Sequence, residues 1–363
     1  MGSPSVREAS MVECWSESER ADINLLHGLV SIESLSNKEA DAVAWLREQM
    51  AVRGMKVVGD AAGSAVATVG TGDRHVVLLG HIDTVPGRVP VRIENGVLWG
   101  RGAVDAKGPL ATFVAAASAA AGELSARVTV VGAVGEEIIG SPGAIEVAKW
   151  DAPDFCVIGE PSGWGAVCLG YRGSLSLMYK LQQSTRHTAG PGESVAEEAV
   201  QFWSGLRKEI DRWNAGARNN FGSIGHSLRA FNTGGNGLTD EANLSIGLRL
   251  PPDLEVDLLL ERIRSIAAPA QIVVDGLQEG YRTGKGSKLI PPFLRAIRAA
   301  GGMPRFTLKL GTSDMNVVGP IWKCPIVAYG PGESALDHTP DERIVLNEYL
   351  RAVQILRNVL VAI

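Results

Sequence analysis

"VGAVGEEIIGSPG", residues 131–143, decides the fold. It completes the apolar run "RVTVVGAVG" (127–135), then sets two carboxylates, Glu136 and Glu137, side by side ahead of a Ser-Pro-Gly turn. A continuous Val-rich run is what a strand covered on both faces requires. Two adjacent negative charges at the mouth of such a strand repel one another and lose hydration, so they need a counter-charge.

Outward from this stretch the same pattern recurs. "MKVVG" (55–59), "SAVATVG" (64–70), "RHVVLLG" (74–80) and "DFCVIGE" (154–160) read as strands, with helices at 108–121 and 141–149 between them. Strands alternating with helices indicate an α/β sheet domain. Helical spacing also covers 19–52, broken at "SLSNKEA", where Ser36 is expected to cap the second helix with Glu39.

From residue 171 the pattern changes. "GSLSLMYKLQ" alternates like a half-exposed strand, 192–213 reads as a long helix, and "IGHSLRAFN" and "EANLSIGLRLP" are strands joined by "TGGNGLTD". A helix at 253–267 and the strand "AQIVVDGL" complete a β-α-β-β-α-β order, the ferredoxin-like unit. After "RTGKGSK" the α/β character returns, with a helix at 288–301, strands "FTLKLG" and "PIVAYG", and a helix at 346–361. The expected division is a discontinuous first domain, 1–170 and 284–363, interrupted by a second, 171–283.

Composition bounds the function. The chain has 363 residues, 21% charged and 45% hydrophobic, which are globular values. A net charge of -5 without a long Lys/Arg block argues against general nucleic-acid binding. Cys14, Cys156, Cys168 and Cys324 are scattered and read as reduced thiols of a cytoplasmic protein. The polar N-terminus lacks the apolar core of a signal peptide. "PLATFVAAASAAAG" (109–122) is too short to span a bilayer and reads as a buried helix.

The chemistry-bearing residues sit where strands end. They are His81 and Asp83 in "LLGHIDTVPG", Asp105 in "LWGRGAVDAKGPL", the Glu136–Glu137 pair, Glu160 in "VIGEPSG" and His338 in "LDHTPDE". Singly each suits an ordinary structural role, Asp105 that of a helix cap. Together they line the C-terminal strand ends, where open α/β sheets bind ligands. Histidines with carboxylates are a donor set that zinc accepts. If Asp105 bridges two divalent ions, each ion has one histidine and one private carboxylate. Three carboxylates and a hydroxide then balance the charge, and the remaining glutamate is free to act as general base. His27, His75 and His226 lack such a context and read as structural.

With these residues in hand the chain resembles the co-catalytic metallopeptidase and deacylase family that includes glutamate carboxypeptidase, acetylornithine deacetylase and succinyl-diaminopimelate desuccinylase. "GHIDTVP", "WGRGAVDAKG", "GEE", "GEPS" and "DHTPDE" occur in the family's order, from about residue 20 to the end. The resemblance implies a zinc-peptidase-like catalytic domain with a mostly parallel central sheet, carrying an inserted lid and dimerisation domain. It implies two divalent ions, Zn2+ or Co2+, one on His81, Asp105 and Glu160, the other on Asp105, Glu137 and His338. Glu136 would be the base and Asp83 the partner of His81, with a cis peptide after Asp105. His187 in "STRHTAGP" would stabilise the oxyanion, often from a partner subunit. Asn236 and Arg249 would bind the substrate carboxylate, with Gly311 and Thr312 of "KLGTSDMNV" beside them.

Within the family, "KLGTSDMNV", "VAYGPGESALDHTP" and "GYRGSL" are most similar to the branch of lysine and arginine biosynthesis. That branch acts on a small acidic amino-group carrier protein and frees lysine or ornithine from it. Arg172, Arg186, Arg282, Lys285 and Lys288 are expected to supply a basic rim for the carrier. The rival expectations are a deacetylase or desuccinylase of small acyl amino acids, and a catalytically inactive metal-binding relative.

Overall fold

The computed structural model describes residues 15–187 and 189–363; Cys14 lies outside the described residues. In chain order the elements are α1 (Glu17–Ser31), α2 (Ala40–Val52), β1 (Lys56–Val58), β2 (Ala65–Val69), β3 (Arg74–His81), β4 (Arg92–Glu94), β5 (Val97–Trp99), α3 (Lys107–Ala120), β6 (Ala126–Ala133), α4 (Pro142–Val147), β7 (Phe155–Gly159) and β8 (Ala166–Tyr171). There follow β9 (Gly173–Ser184), α5 (Val195–Asn214), β10 (Gly225–Gly235), β11 (Thr239–Leu250), α6 (Val256–Ala267) and β12 (Gln271–Gln278). The chain ends with β13 (Tyr281–Arg282), α7 (Ile290–Ala299), β14 (Arg305–Lys309), α8 (Asp314–Trp322), β15 (Ile326–Ala328), β16 (Arg343–Val345) and α9 (Leu346–Ala362).

The large sheet runs β1-β2-β6-β3-β7-β15-β8-β13, with β14 beside β8. Its centre, β6-β3-β7-β15, is parallel, and the strands toward both edges include antiparallel pairs. Both faces are covered, as the Val-rich runs require. Val76 and Leu78 of β3 join α1, α2, α3, α7 and α9 in one core, while Val77 and Leu79 face α4 and α8 in another. Most of α3 is buried, in line with the run at 109–122.

The second sheet, β10-β11-β9-β12, is antiparallel and packs α5 and α6 against one face. Its strand order is that of a ferredoxin-like β-α-β-β-α-β unit. The core beneath it is built from residues 175–267, with Ala270 and Ile272 packed against it, and is separate from the two cores of the large sheet. Sequence reading missed several short elements. The three-residue strands β4, β5 and β16 form a small sheet, and α8 lies hidden in "SDMNVVGPIW".

Helix α3 lies close on the sheet because glycines face it. A Cβ at Gly159 would stand 2.9 Å from Phe113 Cε2 and 3.0 Å from Gly80 Cα. Gly159→Ala therefore forces a shift of β3 against β7, and should cost about 1–3 kcal/mol. Urea unfolding checks this, and an unchanged midpoint would mean that the layers have slack.

Candidate active site

Four adjacent parallel strands deliver the site. His81 is the last residue of β3, Glu136 and Glu137 follow β6, Glu160 follows β7, and His338 lies in the loop after β15. Asp105 precedes α3 through a cis peptide bond to Ala106. Because these strands run side by side in one direction, residues far apart in sequence converge at one edge.

Asp105 stands between the two histidines. Its Oδ1 is 3.3 Å from His81 Nε2 and its Oδ2 is 3.0 Å from His338 Nε2. Glu160 Oε1 is 3.8 Å from His81 Nε2, and Glu137 Oε1 is 3.0 Å from His338 Nε2. Two groups thus share one carboxylate: His81, Asp105 and Glu160, and Asp105, Glu137 and His338, each with its donor atoms within 4.8 Å of one another.

The electrostatics fit cations. Asp105, Glu136, Glu137 and Glu160 converge on two imidazoles, and among the described residues the ion-pair partners of this cluster are histidines, with no lysine or arginine. Burial, reinforced by neighbouring carboxylates, pushes Glu136 and Glu160 well above the ordinary range. Hydrogen bonds to Asp105 and Glu137 push His338 up to about 10. Burial opposes charge on His81, but its bonds to Asp105 and Asp83 outweigh burial and raise it. A site of hard oxygens and imidazoles, with protons standing in for positive charge, is one that divalent ions suit.

Two buried carboxylates hold this geometry. Asp83 accepts from the backbone amides of Glu136 (3.0 Å) and Glu137 (3.1 Å). His81 Nδ1 meets the backbone carbonyl of Asp83 at 3.1 Å, with the carboxylate 3.5 Å away, leaving Nε2 to face the cluster. Ser36 Oγ donates to Asp83 at 2.7 Å. This corrects the expected cap: Glu39 is the N-cap of α2 without a side-chain bond, and the serine is used by the site instead. Sequence reading missed the second carboxylate, Glu342, although "DHTPDE" contains it. Its Oε1 accepts from the amides of Val104 and Asp105, and its Oε2 takes Arg101 at 2.6 Å.

The cluster opens into a cleft of about 1060 Å³ between the two sheets. Arg249, Gly311 and Thr312 line it, with Arg249 Nη1 3.5 Å from Thr312 Oγ1. His187 and Asn236 do not line it; both are exposed. Asn236 Oδ1 accepts from Leu238, Thr239 and the Thr239 hydroxyl, closing the β10–β11 turn. His187 lies just past β9, whose last residue, Ser184, pairs with Thr239 beside that turn. Arg172 is not on a rim: it is buried and donates to the carbonyls of Asn220 and Arg249. Arg186, Arg282, Lys285 and Lys288 are exposed. His75 bonds Thr129 and His226 stacks edge-on against Trp203; neither of these, nor His27, joins the cluster. Cys156 and Cys168 are buried free thiols. Among the described residues no helix is long and apolar enough to cross a membrane.

Asp83→Asn would set an amide N–H₂ against backbone donors that now meet a carboxylate. Metal affinity should fall about 10–100-fold with the fold retained, as read by competition with a chelating dye. Unchanged affinity would remove Asp83 from this role.

Comparison with known proteins agrees with this architecture. The chain is 44% identical over 344 residues to a [LysW]-lysine hydrolase of Deinococcus radiodurans, covering 93% of this chain and 95% of that protein. It is 31% identical over 286 residues to a [LysW]-lysine/[LysW]-ornithine hydrolase of Sulfurisphaera tokodaii, covering 78% and 80%. The fold matches the M20 family metallo-carboxypeptidase Sso-CP2 of Sulfolobus solfataricus with a TM-score of 0.77 at 17% identity, over 94% of this chain and 98% of that one. It also matches a dinuclear metal-binding peptidase of the M20 family from Bacillus subtilis, with a TM-score of 0.72 at 15% identity, over 95% and 98%. The family model of peptidase family M20/M25/M40 matches residues 77–362, from β3 past His338 to α9, and this chain belongs to that family.

Proposed function

We propose that the chain is a two-metal amidohydrolase that frees lysine or ornithine from a small acidic carrier protein by cleaving the amide between a γ-glutamyl group and the α-amino group. The observation that carries the chemistry is Asp105 set between His81 and His338, with a glutamate pair beside it. The extent of similarity to the Deinococcus hydrolase supports the choice of substrate.

His81, Asp105 and Glu160 would hold one ion and Asp105, Glu137 and His338 the other, zinc or cobalt. When bound, the ions polarise the scissile carbonyl and ease deprotonation of the attacking water. Glu136, left out of both sets, takes the proton of that water and returns it to the leaving amine. Asp83 holds the backbone of Glu136 while it does so. Arg249 forks the carboxylate of the amino acid, beside Gly311 and Thr312.

We assign residues 171–283 the role of lid and dimerisation domain, and 1–170 with 284–363 the catalytic domain. β10 supports a homodimer, because it is an exposed edge strand carrying Leu228 and Phe231 exposed, with Leu238 exposed in the turn that follows. In that dimer His187 and Asn236 serve the partner's cleft. Arg282, Lys285 and Lys288, on the segment leaving the lid, offer basic charge to the carrier. The free thiols and the acidic net charge favour a cytoplasmic enzyme without nucleic-acid or membrane partners.

Glu136→Gln should keep both ions and lose about 10²–10⁴-fold in kcat, measured by mass spectrometry on lysine-loaded carrier. Wild-type rates in that variant sink the base assignment. Release only from acetyl-lysine or acetylornithine, never from the carrier, sinks the carrier. A 1:1 mixture of Glu136→Gln and His187→Ala chains, re-assorted at random, should recover about a quarter of wild-type activity, since about half the dimers are heterodimers and one of the two sites in each is whole. No recovery would place His187 in its own subunit's site or outside catalysis.

A further inference from the structure

Arg229 is a cleft residue that the mechanism above does not use. It lies at a register break in the β10–β11 ladder: Leu228 pairs with Ile246 and Ala230 with Ser245, and Arg229 has no partner across. Bulges of this kind re-aim a side chain. Its guanidinium crosses over β11 into the space above Gly247, where a Cβ would meet Arg229 Nε and Nη2 at 2.5 Å. It reaches Ser176 Oγ on β9 at 3.4 Å.

Gly247 and Arg249 lie on the same face of β11. Ala242, Leu244, Ile246 and Leu248 point into the core under α5 and α6, so the intervening residues face the cleft. Arg229 therefore stands one side-chain position from Arg249, about 7 Å along the strand. Among the described residues the side-chain hydrogen-bond partners of these two guanidiniums are hydroxyls, those of Ser176 and Thr312. Burial and then the charge of Arg229 push Arg249 down from its usual range. Glu136 acts on Arg249 only at a distance, and among the described residues neither guanidinium forms an ion pair with a carboxylate, so two cations side by side fit an anionic ligand with two heads.

We propose that Arg229 and Arg249 form a two-carboxylate clamp, so that the cleft takes amides with a carboxylate on each side of the scissile bond. This rests on the proposed hydrolase reading. There Arg249 holds the α-carboxylate of the leaving amino acid. Arg229 holds the free α-carboxylate of the γ-linked glutamate, within reach along its flexible chain. An acetyl group offers nothing to Arg229, so the clamp sets acyl-side specificity. Gly247 is the residue that makes room for it.

The test compares N-acetyl-γ-glutamyl-lysine with its counterpart whose glutamyl α-carboxylate is a carboxamide. Dissociation constants are measured by calorimetry on the metal-loaded Glu136→Gln protein, and kcat/KM on the wild type. The acid should be preferred by about tenfold to a hundredfold, the worth of a charge-assisted contact. Arg229→Met should bring that preference to within about twofold. Gly247→Ala, whose Cβ would meet the flexible end of Arg229 first, should lower it in the same direction. Arg249→Met should weaken both ligands together. A preference that survives Arg229→Met overturns the clamp. Binding that follows Arg229 while neither ligand is hydrolysed would instead overturn the hydrolase reading and leave the clamp standing.

Discussion

The carboxylate of Asp83 is the constraint on which the site depends. It is fully buried, and burial alone would raise its pKa; the bonds from His81, Ser36 and the Glu137 amide hold it below the usual range instead. One charged group thereby ties the end of β3 to the turn after β6. The tie fixes a histidine and a glutamate pair together, because the backbone carbonyl of Asp83 meets His81 Nδ1 at 3.1 Å while its two carboxylate oxygens take both glutamate amides. Without those oxygens the two amides would have to find water at a buried strand end, at a cost of about 1–3 kcal/mol each.

Glu342 works in the same way on the opposite wall. Its charge is balanced by Arg101, and its other oxygen grips the amides of Val104 and Asp105 just ahead of α3. The carboxylates that grip backbone therefore have partners within the protein. Those that point into the cleft have only imidazoles for ion-pair partners, and burial makes Glu136 and Glu160 costly to ionise. The fold spends its internal counter-charges on position and leaves the cluster to hold protons where cations would fit. That division is the physical reason for reading the cluster as a cation site.

Much of this was legible in the sequence, for a definite reason. Parallel central strands are buried on both faces, so β3, β6 and β7 appear as unbroken Val-rich runs, and the cluster residues stand at or just past their ends. The alternating β9 and the helices α5 and α6 marked the inserted unit equally well. What was not legible depends on partners distant in the chain. Ser36 has a capping sequence around it, yet a buried carboxylate on another strand offers a stronger bond than an exposed helix end. Arg172 looks like any loop arginine until β11 supplies a carbonyl to bury it. Arg229 is visible only through a register break and a glycine on the next strand. Three-residue strands such as β4 and β5 carry too few residues to show a period.

The second sheet also explains why one chain leaves the proposed machinery divided. Arg249 pairs with Ser174 at one end of the β11–β9 ladder, and Thr239 pairs with Ser184 at the other. Ten residues of extended strand separate these ends by about 33 Å. Arg249 and its neighbours reach the cleft of their own chain, so His187 and Asn236, at the far end, cannot do so while the ladder stays intact. An oxyanion donor at the far end is useful only if another copy brings its own cleft there. The long exposed edge of β10 is where such a copy could dock. Substrate grip and oxyanion support would then come from two different lids, and closing either cleft would require the dimer to be in place.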